Sequence, residues 1–146
     1  MGLNPLSIVL VGLQFILIGL MVWPFGPWRL SVTFWSAIVA SAVLGVFTLA
    51  HNRLGNFNIR PEPKASAKLI TTGSYRLIRH PMYSALMLAM AAFVVAEQSS
   101  LKLGLWFALA LVLSAKANFE EQLMRERFQE YENYQERTKR FVPWLW

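Results

Sequence analysis

Long apolar stretches alternate with short polar ones along this chain, and that alternation predicts the architecture. Residues 1–28, 30–50, 81–96 and 103–115 contain no Asp, Glu, Lys or Arg. The first run predicts a membrane span over about residues 5–23, long enough at about 1.5 Å rise per residue to cross a hydrocarbon core of roughly 30 Å. Trp23, Pro24, Phe25, Gly26, Pro27 and Trp28 then make a tight turn, with prolines that stop the helix and tryptophans suited to the interface. A second span follows over about 30–50, so the two form an antiparallel hairpin. Pro81 opens a third run, since its missing N–H has no partner in a first helical turn anyway. The third and fourth spans are expected at about 82–97 and 101–116. They read as a hairpin rather than one interrupted segment, because the polar break from Glu97 to Lys102 would be costly at mid-membrane.

Between the second and third spans, residues 51–81 form a polar loop. Arg53, Arg60, Lys64, Lys68, Arg76 and Arg79 face one acid there, Glu62, and Gly55, Pro61, Pro63 and Gly73 break regular structure. Its Leu69–Tyr75 part, LITTGSY, suits a short extended piece ending in a glycine turn. Such a long connection is usually functional or disordered. Residues 117–146 are expected to form a cytoplasmic amphipathic helix and tail. At 100° steps from Glu120, the residues Leu123, Met124, Phe128, Tyr131 and Tyr134 share an apolar face. Glu120 and Arg127 project from the centre of that face, and Glu121 sits at its border, where it can pair with Arg125. The expected fold is therefore a single all-α integral membrane domain of about four transmembrane helices plus this C-terminal helix.

Composition agrees: 55% of the 146 residues are hydrophobic and 15% charged, against about a quarter charged in a soluble domain. The N-terminal run lacks a basic lead and a cleavage site, and reads as a retained span. The net charge of +6 points to anionic membrane lipid rather than nucleic acid, because the cations gather beside spans. Twelve of the fourteen Lys and Arg lie in the 51–80 loop and in residues 116–146, with Arg29 and Lys102 on the opposite turns. Both termini and the loop are accordingly expected to be cytoplasmic.

Without cysteine the chain has no disulfide framework, thiolate metal site or Cys nucleophile. Ser74 and Ser84 lack a nucleophile-elbow context, no His or carboxylate cluster has metal spacing, and no Gly-rich phosphate loop occurs. Two features stand out. Arg79, His80 and Pro81 bring a cation, an imidazole and a helix start together, which suits an anion, either a ligand or lipid phosphate. Glu120, on an apolar face near the membrane surface, needs a partner: Arg127, a loop arginine or a ligand.

Leu54, Gly55 and Asn56, the run TTGSYRLIRHPMY, the cluster Glu120, Glu121 and Leu123, and RFQEYENYQERTKRFVP occur in this order. Together they resemble the isoprenylcysteine carboxyl methyltransferase family and its phospholipid methyltransferase relatives, over about residues 51–143. The resemblance implies an S-adenosylmethionine-dependent enzyme whose cofactor pocket lies between the RHP segment, the paired glutamates and the C-terminal element, with a lipophilic methyl acceptor arriving from the bilayer. It favours carboxyl O-methylation of the isoprenylcysteine type, with N- or S-methylation of a phospholipid or other lipophile as the alternative. Ala85 stands where the family commonly has Gly, and its methyl is expected to narrow the pocket.

The cofactor's own chemistry distributes the expected roles. Arg79 and His80 suit its carboxylate, Glu120 or Glu121 its ammonium or ribose, and Tyr75, Tyr83 or Tyr131 its adenine or sulfonium. Arg140 or Arg127 would hold a carboxylate acceptor, whereas an amine acceptor would need Glu120, Glu121 or His80 as base. Methyl transfer from a sulfonium needs alignment and exclusion of water rather than a strong nucleophile or a metal. A non-enzymatic membrane subunit or transporter component would explain the spans but not the clustered Tyr, Arg, His and Glu.

Overall fold

A computed structural model describes residues 4–52 and 68–144. The Leu54, Gly55 and Asn56 motif and the loop residues Arg53, Arg60, Glu62 and Lys64 lie outside them. Five α-helices follow in order: α1 (Pro5–Val22), α2 (Val32–Asn52), α3 (Pro81–Glu97), α4 (Ser100–Arg127) and α5 (Tyr131–Arg137). A 3-10 turn, Gly73–Arg76, precedes α3.

Helices α1, α2 and α4 are long and apolar enough to cross a membrane, while α3 is a shorter apolar helix. The architecture is that of an all-α integral membrane protein. The side chains agree, since Phe15, Ile16, Val39, Val43, Val46 and Leu111 point outward, which is stable only against an apolar solvent. The core is thin: Met21, Met90, Leu109 and Leu113 join α1, α3 and α4, and Phe34, Ala92 and Ala96 join α2 to α3.

Local chemistry sets the helix ends. The Asn4 side chain accepts from the Leu6 N–H at 3.0 Å and Pro5 opens α1. Ser99 caps α4 by accepting from Leu101, and Pro81 opens α3. Between α3 and α4, Gln98 sits at φ 51° and reverses the chain.

LITTGSY runs through an extended Thr72 into the 3-10 turn, and an isolated parallel bridge pairs Ile78 with Lys139. Gly73 does make a turn, at φ +62°, and a Cβ there would lie 2.4 Å from the His51 ring. Beyond the fourth span, α4 runs unbroken to Arg127 and stops at Phe128, whose φ of −122° and ψ of 113° are extended. Tyr131 and Tyr134 therefore belong to the separate α5 rather than to the face that carries Glu120. Ala85 is buried at the α2–α3 contact, where the Ser41 hydroxyl donates to its carbonyl at 2.7 Å.

Candidate active site

Helix α3 starts and α4 ends at the same end of the bundle, where the tail beyond α5 returns to meet them. The tail is held by backbone bonds first. The Arg79 N–H donates to the Lys139 carbonyl at 2.8 Å, His80 N–H to that of Arg140 at 3.0 Å, and Lys139 N–H to that of Leu77 at 3.0 Å. The Ser84 hydroxyl donates to the Phe141 carbonyl at 2.6 Å and the Tyr134 hydroxyl to the Tyr75 carbonyl at 2.7 Å. The paired segments 77–80 and 138–141 bring Arg79, His80 and Arg140 together beside the glutamates of α4.

Glu121 is the centre of the cluster, with 1% of its side chain exposed. Its Oε1 accepts from Arg79 Nε at 2.8 Å, His80 Nε2 at 3.0 Å and Arg140 Nε at 3.2 Å. Its Oε2 accepts from Arg140 Nη2 at 2.8 Å and Gln135 Nε2 at 2.9 Å. Arg79 Nη1 donates in turn to the carbonyls of Gln135 and Thr138, at 3.2 and 2.6 Å. The anion that the Arg79 and His80 pair attracts is thus a carboxylate of the chain itself. The expected Glu121–Arg125 pair does not form, and Arg125 donates instead to the Gln135 side chain.

Glu120 is different. Its side chain is 20% exposed, one oxygen accepts from the Tyr83 hydroxyl, and the other lies 3.4 Å from His80 Nδ1. The His80 and Tyr83 rings stack with planes 3° apart and centroids 5.4 Å apart, and Phe141 is tilted against both. Both imidazole nitrogens of His80 therefore face carboxylates. Burial disfavours the imidazolium, but hydrogen bonds and charge from Glu120 and Glu121 outweigh it, so the His80 pKa is raised. Tyr75 is pushed up to about 12 by burial and then by the Glu120 charge. Burial also raises Tyr131, with Glu121 adding to the effect.

Of the residues singled out from the sequence, Tyr75, Arg79, His80, Tyr83, Glu120, Glu121, Tyr131 and Arg140 meet at this end of the bundle. Arg127 does not join them: it is exposed on the last turn of α4, its guanidinium 5.6 Å from the Phe128 ring centroid. Three participants escaped the sequence reading. Gln135 and Thr138 lie inside the RFQEYENYQERTKRFVP run, where nothing sets their polar atoms apart from their neighbours'. Lys116, buried one turn before Glu120, donates to Gln14 Oε1 at 2.5 Å. An amide in an otherwise apolar first span and a lysine at the end of the fourth were the signals available. Among the described residues, no group of three or more His, Cys, Asp or Glu could hold a metal ion.

The comparisons point the same way as the residues. Residues 6–131 match the model of the phospholipid methyltransferase family. The chain is also 32% identical over 83 residues to the nickel-cobalt-cadmium resistance protein NccN of Alcaligenes xylosoxydans xylosoxydans, an alignment that covers 56% of this chain and 39% of that protein. The chain thus matches well under half the length of that relative. Because the family match runs from α1 through α4 and reaches Tyr131, this chain belongs to the phospholipid methyltransferase family, which includes isoprenylcysteine carboxyl methyltransferase-like proteins.

Proposed function

We propose that this protein transfers a methyl group from S-adenosylmethionine to the carboxylate of a lipophilic acceptor at the cytoplasmic face of a membrane. The observation that carries the reading is the contrast between the adjacent glutamates: Glu121 is saturated from within the chain, whereas Glu120 is partly exposed and held in place by Tyr83 and His80.

The residues present fit the cofactor. An amino-acid end carries an ammonium and a carboxylate, and the site offers Glu120 for the first and Arg140 for the second. Arg140 is 22% exposed, and its Nη1 takes no part in the bonds to Glu121. It thereby takes a cofactor-binding role in place of the acceptor-holding one, while Arg79, engaged by Glu121 and two carbonyls, supports the tail. Tyr75, half-buried within the field of Glu120, supplies an aromatic surface for a cation or flat ring. When bound, S-adenosylmethionine supplies a methyl group on a sulfonium that is already activated for in-line displacement.

The chain's protonation pattern favours a carboxylate acceptor over an amine. Glu120 is already engaged, with one oxygen accepting from the Tyr83 phenol and the other against the His80 ring. His80 holds its proton between two carboxylates, so it is a poor base. A carboxylate acceptor needs neither, because it reaches the site already deprotonated, and the apolar flanks of α3 and α4 suit a hydrocarbon tail. The gathering of Lys and Arg at the site end supports its cytoplasmic placement.

The test uses membranes containing the protein and methyl-labelled S-adenosylmethionine. Label extracted with lipids and released as methanol by mild base identifies an ester, as expected here. Base-stable lipid label identifies N- or S-methylation and overturns the acceptor assignment. Absence of both transfer and cofactor binding contradicts the enzyme reading altogether.

A further inference from the structure

Within α4, Lys116 precedes Glu120 by one helical turn, so the two side chains lie on the same face. Lys116 is 1% exposed. Its Nζ donates to Gln14 Oε1 of α1 at 2.5 Å and stands 5.2 Å from the centroid of the Tyr83 ring. The hydroxyl of that same ring donates to Glu120. A polar chain therefore runs from Gln14 in the first span through Lys116, Tyr83 and Glu120 to His80.

An ammonium buried beside a membrane span is costly, and such groups are kept mostly where they act on a site. Lys102, also buried, is accounted for by packing, since it caps three carbonyls at the end of α1 and lies 3.4 Å from Glu97. A cation over an aromatic ring draws density from it and strengthens its O–H as a donor.

We propose that Lys116, anchored by Gln14, is a positioning residue that orients Tyr83 and through it sets the placement of the exposed Glu120 carboxylate for a cationic ligand. The inference rests on the assignment of the cofactor's ammonium to Glu120. Helix α1, which contributes no residue to the cluster around Glu121, would through Gln14 become part of the site.

The test is a calorimetric titration of S-adenosylmethionine into the full chain in detergent, with melting curves of the ligand-free protein beside it. Lys116→Met should weaken binding roughly tenfold while remaining folded, and Lys116→Arg should recover most of the loss. In a Tyr83→Phe background, Lys116→Met should cost little more, because the route through the hydroxyl is already cut. Unchanged affinity in folded Lys116→Met, or full additivity with Tyr83→Phe, overturns the inference. If Lys116→Met does not fold, Gln14→Leu removes the anchor alone: weakened binding supports the inference and unchanged binding overturns it. A parent protein that fails to bind defeats the site assignment and this inference together, whereas a binding parent with an indifferent Lys116→Met defeats only the latter.

Discussion

The two ends of the helical bundle both bury charge, and they balance it in opposite ways. At the end farther from the site, the Lys102 ammonium donates to the carbonyls of Leu20, Met21 and Trp23 at 3.1, 2.6 and 2.5 Å. Glu97 lies 3.4 Å away and also accepts from the Phe25 N–H. Lys102 is fully buried, so this cluster is closed and joins α1, α3 and α4. At the site end, Glu121 is equally closed, but its neighbour Glu120 keeps part of its surface exposed. A saturated cluster holds elements together, while an incompletely covered charge beside it can receive something from outside.

That comparison is sharpest at Glu121. Glu121→Ala removes the carboxylate shared by Arg79, His80 and Arg140 and leaves their charge uncompensated. Breaking a buried pair this way costs about 3–5 kcal/mol. We expect a large fall in melting temperature and faster hydrogen exchange at residues 138–141, where the tail is stitched to the segment before α3. A variant that melts like the parent would mean that Glu121 is not the fastening of the tail.

Lys102→Met should also destabilise the fold, by about 3 kcal/mol, since three carbonyls lose a donor and the buried Glu97 loses its counter-charge while the volume is kept. Its affinity for S-adenosylmethionine should match the parent's, as the site lies at the other end of the bundle. A cofactor affinity that falls with Lys102 would erase the distinction between the two ends.

The smallest expected effect is a pH dependence. The folded protein holds the His80 proton more tightly than the unfolded chain does. The associated stability is complete below the unfolded pKa of about 6.5 and is lost as pH rises through the raised folded value. Melting temperature should therefore decline with rising pH above about 6.5, and His80→Gln should flatten that decline. Equal slopes for the two proteins would show that His80 is not an imidazolium in the native state.

The apolar runs were legible because a bilayer imposes length and composition on each span separately. The site was legible in part, since Arg79 and His80 precede Pro81 in a recognisable motif and the paired glutamates stand out on an apolar helix. Which glutamate turns inward was not. The 100° projection carried the helix through Tyr134, whereas the chain leaves it at Phe128. The partners of Glu121 come from before α3 and from the returning tail, so its burial depends on non-local folding. Lys102 read as a turn charge because only the through-space approach of the α1 carbonyls makes it a buried cap. Arg127 read as inward by the same projection that misplaced Tyr131.

The division of labour between adjacent glutamates is tested most directly by titrating S-adenosylmethionine into Glu120→Gln beside the parent protein. The substitution keeps volume and removes the exposed charge while leaving Glu121 and its partners in place. We predict that affinity falls about ten- to a hundredfold, as expected for loss of a charge-assisted bond, with the ligand-free melting temperature nearly unchanged. Parent-like affinity, with a large fall in ligand-free stability, would make Glu120 a structural residue and contradict its assignment to the cofactor.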